Sequence, residues 1–173
     1  FQDLSDRFPP LGAELDAYFI LYEDARKSTP PNHQLRPEIR DESWALHCSH
    51  IRAGCYISLY GPEPTDIFPD ASWNEISAAL DSELEFIKKN LRYPDYCVLN
   101  LCRIIHSVQE RNVVVSKRFA GCWACARFPQ WKPLIEAATR SYDGTTTSKD
   151  NVLLNTEIEH FLEFASESID SFR

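Results

Sequence analysis

Three apolar stripes at helical spacing limit what this 173-residue chain can fold into more than any other feature of its sequence. Ile76, Leu80, Leu84, Ile87 and Leu91 form the first, Val98, Leu101, Cys102, Ile105 and Val108 the second, and Ile158, Phe161, Leu162, Ala165 and Ile169 the third. Residues three and four apart share one face of an α-helix, so each stripe predicts an amphipathic helix that must bury that face against another. The punctuation agrees. Ser72 with Glu75 has capping-box spacing, Ser116 can cap a helix running to about Arg127, and Pro133 opens a helix ending at Tyr142 before Gly144. Thr156 with Glu159 repeats the box spacing and predicts the start of the last helix, after the polar run DGTTTSKDN. Residues 42–53 read as a shorter helix stopped by Gly54, and CYISLYGP after it as an extended piece closed by Gly61-Pro62.

Upstream the pattern changes. AELDAYFILY, residues 13–22, alternates and is rich in aromatic and β-branched types, which predicts a strand, whereas residues 23–40 carry three prolines and mixed charge and read as a connecting loop. That places a boundary near residue 40. A lone strand is unstable, and the chain starts at Phe1 with no methionine, so it reads as a piece whose partner strands precede it.

Charge narrows the partners. Asp and Glu number 26 against 18 Lys and Arg, a net charge of -8, which disfavours a nucleic-acid backbone and suits a cationic ligand. No window approaches ~18 apolar residues and no leader-like segment opens the chain, so the expectation is a cytoplasmic monomer with neither membrane nor nucleic acid as partner.

The motif that first suggests chemistry is CWAC, residues 122–125. Zinc would need four converging ligands, and Cys97 and Cys102, five apart, are about 140° apart around a helix axis. Redox work needs a low-pKa thiolate, commonly at a helix N-terminus beside a strand, but Cys122 falls well inside a helix that begins near Ser116. The pair therefore reads as small buried hydrophobes, and the six cysteines as reduced. His47 and His50 share a helix face but have no acidic or thiol ligand evidently paired with them, so a structural role is the reading. Glu14 and Asp16 would point to one side of the predicted strand, either as a solvated face or as a base or metal ligand at a sheet edge. Lys117, one residue after a helix cap, adds a positive charge where backbone N–H groups already favour an anion such as phosphate.

The block YCVLNLCRIIHSVQERNVVVSKRFAGCWA, residues 96–124, resembles the C-terminal helical domain of the aminoglycoside adenylyltransferases, the streptomycin and spectinomycin resistance class. LYGPEPTDIFP at 59–69 is similar to that family's Gly-Pro connector, and ELDAYF at 14–19 to the strand bearing its catalytic acid. The resemblance implies a mainly α protein: a bundle of about five helices over residues 41–173, preceded by one or two strands in residues 1–40 left from a truncated α/β nucleotidyltransferase domain. It implies transfer of AMP from MgATP to a hydroxyl of a small cationic acceptor, with ATP and Mg held chiefly by the part of the family fold that carries Gly-Ser and Asp-x-Asp motifs. Neither motif occurs in this chain, so the expectation is that it is inactive alone; a non-catalytic binding or regulatory module is the alternative. By the resemblance Glu14 is the base, Lys117 with Ser116 contacts ATP, and Asp95 and Tyr93 lie near the family's acidic drug contact, with no ligand set for a metal assigned here. Trp44 is not carried over as the family's drug-packing tryptophan and is a candidate for the core.

Overall fold

The computed structural model describes residues 6–7 and 17–172. After a short helix α1 (Tyr22–Ala25) comes a hairpin, β1 (Asn32–His33) and β2 (Arg36–Arg40), and then helices α2 (Trp44–Arg52), α3 (Pro64–Ile67), α4 (Trp73–Lys88), α5 (Pro94–Glu110), α6 (Lys117–Arg127), α7 (Lys132–Tyr142) and α8 (Ser148–Ser171). A 3-10 turn, Pro129–Trp131, joins α6 to α7. The protein is mainly helical with a small antiparallel sheet at its N-terminal side, as the sequence predicts.

Helix α5 is the centre. It packs against α4, α6, α7 and α8. Sequence periodicity gives it one apolar face, yet Leu99, Ile104, His106 and Ser107 are buried as well, because neighbours cover it on nearly every side. Cys97, Leu101, Cys102 and Ile105 are fully enclosed, and Phe161 and Ile169 of α8 and Ile135 of α7 complete the same core. Gly121 lets α6 approach closely: a methyl built there would sit 3.4 Å from Leu99 Cδ2 and 3.5 Å from Ile135 Cγ2.

Caps set the helix starts. At α4 the Ser72 hydroxyl accepts from Glu75 N–H while the Glu75 carboxylate accepts from Ser72 N–H at 2.8 Å, the reciprocal box read from the sequence. At α8 the same device is built by Thr147 and Asp150, not by Thr156 and Glu159. Thr156 lies in the third turn of a helix already running, and its hydroxyl donates back to Val152 C=O at 2.9 Å. Asp150 also accepts from Arg140 Nε at 3.2 Å, which ties the end of α7 to the start of α8 and gives this earlier box the stronger hold.

The N-terminal side departs from the sequence reading. Residues 17–21 are irregular and Tyr22 begins α1, so the strand expected over 13–22 is absent from its described part; residues 13–16, with Glu14, lie outside the described residues. The strands fall instead at 32–33 and 36–40, inside the segment read as a loop. Pro37 is tolerated because it sits in one strand of a two-stranded ribbon, where Asn32 Nδ2 donates to its carbonyl at 3.0 Å. Buried His33 fastens the upstream chain to this hairpin. Its Nδ1 accepts from the Leu35 and Arg36 N–H groups at 3.0 and 3.1 Å, which leaves Nε2 to donate to Ala17 C=O at 3.3 Å. A second small core of Ala25, Trp44 and Cys48, with Ile20, Ile67 and Phe68 against it, joins these residues to α2 and α3. Trp44 is a core residue there, its indole N–H donating to Lys27 C=O at 2.9 Å. Residues 55–60, read as extended, form no strand and leave Ile57, Leu59 and Tyr60 at 88, 93 and 99% exposure.

The Gly121 contacts give a direct expectation. Gly121→Ala should be near neutral or slightly stabilising, since the methyl meets ordinary contact distances and alanine gains up to ~1 kcal/mol of helix propensity. Gly121→Val should lose about 1–3 kcal/mol in urea denaturation, because its branch drives into Leu99 and Ile135.

Candidate functional site

Two adjoining clefts lie where α2, α4, α5 and the start of α6 meet. The first, of about 210 Å³, is lined by His47 and His50 of α2, Glu83 of α4, Tyr96, Asn100 and Arg103 of α5, and Lys117 of α6. The second, of about 520 Å³, is lined by Tyr18, Arg40, Asp41, Glu42, Phe86 and also by Ser43, His47, Glu83 and Tyr96, which face both. The clefts differ in character: cations gather in the first and carboxylates in the second.

Lys117 is the first residue of α6, and its ammonium lies 4.5 Å from the centre of the Tyr96 ring and 5.6 Å from that of Tyr142. It makes no ion pair among the described residues. Burial, followed by the nearby Arg103 charge, lowers its pKa below the ordinary lysine value. Arg103 donates to Asn100 Oδ1 at 3.4 Å, whereas its Nε is buried and meets no acceptor among the described residues. Two cations are thus held near each other by the fold, partly removed from water. An anion bound between them would relieve that repulsion and satisfy the guanidinium, and a polyphosphate is the anion such a pair suits.

On the acidic side, Ser43 donates its hydroxyl to Glu83, and Asp41 is buried. Asp41 accepts from Ser43 N–H at 3.2 Å and from His47 Nδ1–H at 2.9 Å. This contact raises the pKa of His47 above the usual histidine value against a smaller opposing effect of burial. Carboxylates beside the rings of Tyr18, Phe86 and Tyr96 make a surface that favours a cationic ligand.

Of the residues to which the sequence gives a ligand-binding or catalytic role, Lys117 lines the first cleft, and the histidine pair His47 and His50, read as structural, lines it too. Ser116 caps α6, its hydroxyl accepting from Phe119 N–H at 3.1 Å, and it borders a separate groove with His106, Phe119 and Trp123. Asp95 accepts from Ser141 Oγ at 2.7 Å and from Tyr96 N–H at 2.8 Å, and its charge bears on Lys117. Tyr93 stands exposed at the N-cap of α5 with the Arg92 guanidinium 5.0 Å over its ring. Glu14 lies outside the described residues. Arg103, Glu83 and Asn100 have no functional role in the sequence reading, and His47 has only a structural one. The signal in the sequence is Asn100 and Arg103, three apart within the otherwise apolar run Cys97 to Ile105, together with the paired histidines of α2. Among the described residues no group of three or more His, Cys, Asp or Glu could hold a metal ion.

The cysteines are all free, but CWAC is not a buried pair: Cys122 is exposed and Cys125 only partly covered. Residue 122 falls on the outer side of α6, whose buried positions are Ala120, Gly121 and Ala124. Burial pushes the thiols of Cys48 and Cys97 up to about 12 and about 11, and raises Cys102 and Cys125 also, the reverse of what a reactive thiolate needs. Alkylation of the native protein followed by mass spectrometry should label Cys55 and Cys122 readily, with Cys48, Cys97 and Cys102 modified only on unfolding. Native labelling of Cys102 as fast as Cys122 would contradict this packing.

Residues 65–168 match a family model described as aminoglycoside adenylyltransferase, C-terminal domain. No curated protein and no solved structure matches the chain.

Proposed function

The chain belongs to the aminoglycoside adenylyltransferase family, matched through its C-terminal domain, and from that membership we propose that it serves transfer of AMP from MgATP to a hydroxyl of a cationic, aminoglycoside-like acceptor. In this reaction the acceptor oxygen attacks the α-phosphorus, the bond from that phosphorus to the bridging oxygen breaks, and pyrophosphate leaves. Lys117 and Arg103 would hold the polyphosphate and offset the charge it gains as it departs. The acceptor would lie on the acidic side, near Asp41, Glu42 and Glu83, with its amines drawn by the carboxylates and its rings against Phe86 and Tyr96. Glu14 would take the hydroxyl proton, in keeping with the family resemblance of ELDAYF. Residues 1–40 would then contribute to the nucleotidyltransferase part of the fold, and Ser116, Asp95 and Tyr93 would act through the helix ends on which they sit.

One observation carries this reading: Arg103 and Lys117 converge on one cleft, with a buried guanidinium nitrogen unmet and the lysine pKa lowered by burial and by the arginine. A chain with no Asp-x-Asp favours binding over turnover, so the 173 residues alone are expected to bind nucleotide and acceptor without transferring AMP. Calorimetric titration with MgATP, then with streptomycin and spectinomycin, tests this. Lys117→Ala and Arg103→Ala should each weaken MgATP about tenfold or more, the loss of one charged hydrogen bond. Binding of neither nucleotide nor any aminoglycoside would defeat the proposal, and AMP transfer above background would defeat its claim that the chain is inactive alone.

A further inference from the structure

His47 stands where the two clefts meet, and the proposed reaction gives it no task. Its ring is fixed from one side: Nδ1–H donates to Asp41 at 2.9 Å, and Asp41, only 6% exposed, is itself held by the Ser43 N–H. Nε2 is the ring nitrogen left to meet a ligand, and the imidazole stays half exposed on the cleft side, 52% by its side chain. Oriented by a buried carboxylate and set beside Arg103 and Lys117, the ring has the position of a third donor to the same anion.

We infer that His47, oriented by Asp41, is a proton-dependent polyphosphate contact: as imidazolium it donates through Nε2 to the anion bound by Arg103 and Lys117, and it releases that anion on losing its proton. This deepens the proposed function and rests on its placement of phosphate in the first cleft. The groups that set the charge of His47 come from each surrounding element. Asp41 precedes α2 and Glu83 comes from α4, and both favour the imidazolium; Arg103 from α5 opposes it. His50 shares α2, and Tyr96 and Lys117 close the cleft from α5 and α6. Arg40 and Glu42 on the other side pair with each other at 3.6 Å. The balance raises the histidine pKa, with the Asp41 hydrogen bond as the largest cause. The sign follows: the contact is fully present below the ordinary histidine value of about 6.5 and is lost as pH rises through the raised value.

The alternative role for an Asp-His pair, a general base, has the opposite sign, because a base works only once deprotonated. Calorimetry between pH 6 and 8.5 with two probes, pyrophosphate and MgATP, on the wild-type chain and on His47→Gln separates them; titration of the probes themselves cancels between the two proteins. At pH 6 the wild type should bind about tenfold more tightly than His47→Gln, with the two converging at pH 8.5. His47→Lys, which stays charged, should keep the wild type's pH 6 advantage over His47→Gln up to pH 8.5, and Asp41→Asn should move the fall in affinity to lower pH. Circular dichroism melting of each variant separates loss of contact from loss of fold, and an NMR titration of the His47 ring should reproduce the midpoint. Equal affinities and slopes for wild type and His47→Gln would overturn the inference while leaving nucleotide binding intact. Affinity that rises with pH only in the wild type would overturn it in favour of the base. Pyrophosphate binding that depends on His47, with MgATP silent, would uphold the contact and remove the nucleotide reading instead; binding of neither probe would remove both.

Discussion

Helix α5 is enclosed by α4, α6, α7 and α8, and a helix covered on so many sides can carry polar groups only where they find partners or open onto a cleft. That constraint fixes where chemistry can sit. Asn100 meets it by donating from Nδ2 to Tyr96 C=O at 2.9 Å and accepting from Arg103. Arg103 meets it only in part, and it does so at the one cleft where α2 and α6 bring a histidine pair and Lys117 against the same helix. The site and the core therefore share a helix. Changes that loosen Leu99 or Leu101 would be felt at Arg103 through the backbone that holds all three.

The electrostatic design is divided by location. The chain as a whole is acidic at -8, yet it gathers Arg103, Lys117 and two histidines at one cleft and keeps Asp41 and Glu42 beside it, with Glu83 on the wall the two clefts share. Overall charge would draw a polycation from a distance, while the local cations would retain a polyanion at short range. Two ligands of opposite charge, such as the proposed reaction requires, would in this way meet in adjoining spaces without competing for one surface.

The helices were legible because a period of 3.6 repeats over many residues and survives local exceptions, as the stripe through Ile76, Leu80, Leu84 and Ile87 shows. The hairpin was not. RPEIR has a proline and three charges, and it is a strand because His33, Asn32 and their backbone partners hold it, not because its side chains alternate. The start of α8 differs from the sequence reading for a related reason: Thr147 with Asp150 and Thr156 with Glu159 have equal spacing, and the Arg140 contact across the turn favours the first. Lys117 could be found from its place at a helix start. Arg103 and His47 leave a trace in the sequence but not a role, since the role of the first depends on the helices that meet at its cleft and that of the second on a carboxylate buried before its own helix begins. Cys122 and Cys125 were read together as core, though on α6 only the inner positions around Gly121 are covered.

The segment CYISLY at 55–60 carries neither charge nor proline, takes no regular structure, and turns Ile57, Leu59 and Tyr60 outward at the foot of α2. Such a stretch has the composition that templates strand pairing between molecules, and the nearest interrupting charges are Arg52 on one side and Glu63 on the other. With the exposed thiol of Cys55 at its edge, it can also be cross-linked once molecules meet. A few residues outside both cores thus offer a surface for self-association, and a lysine placed at Leu59 would interrupt it without touching the packing that holds the fold.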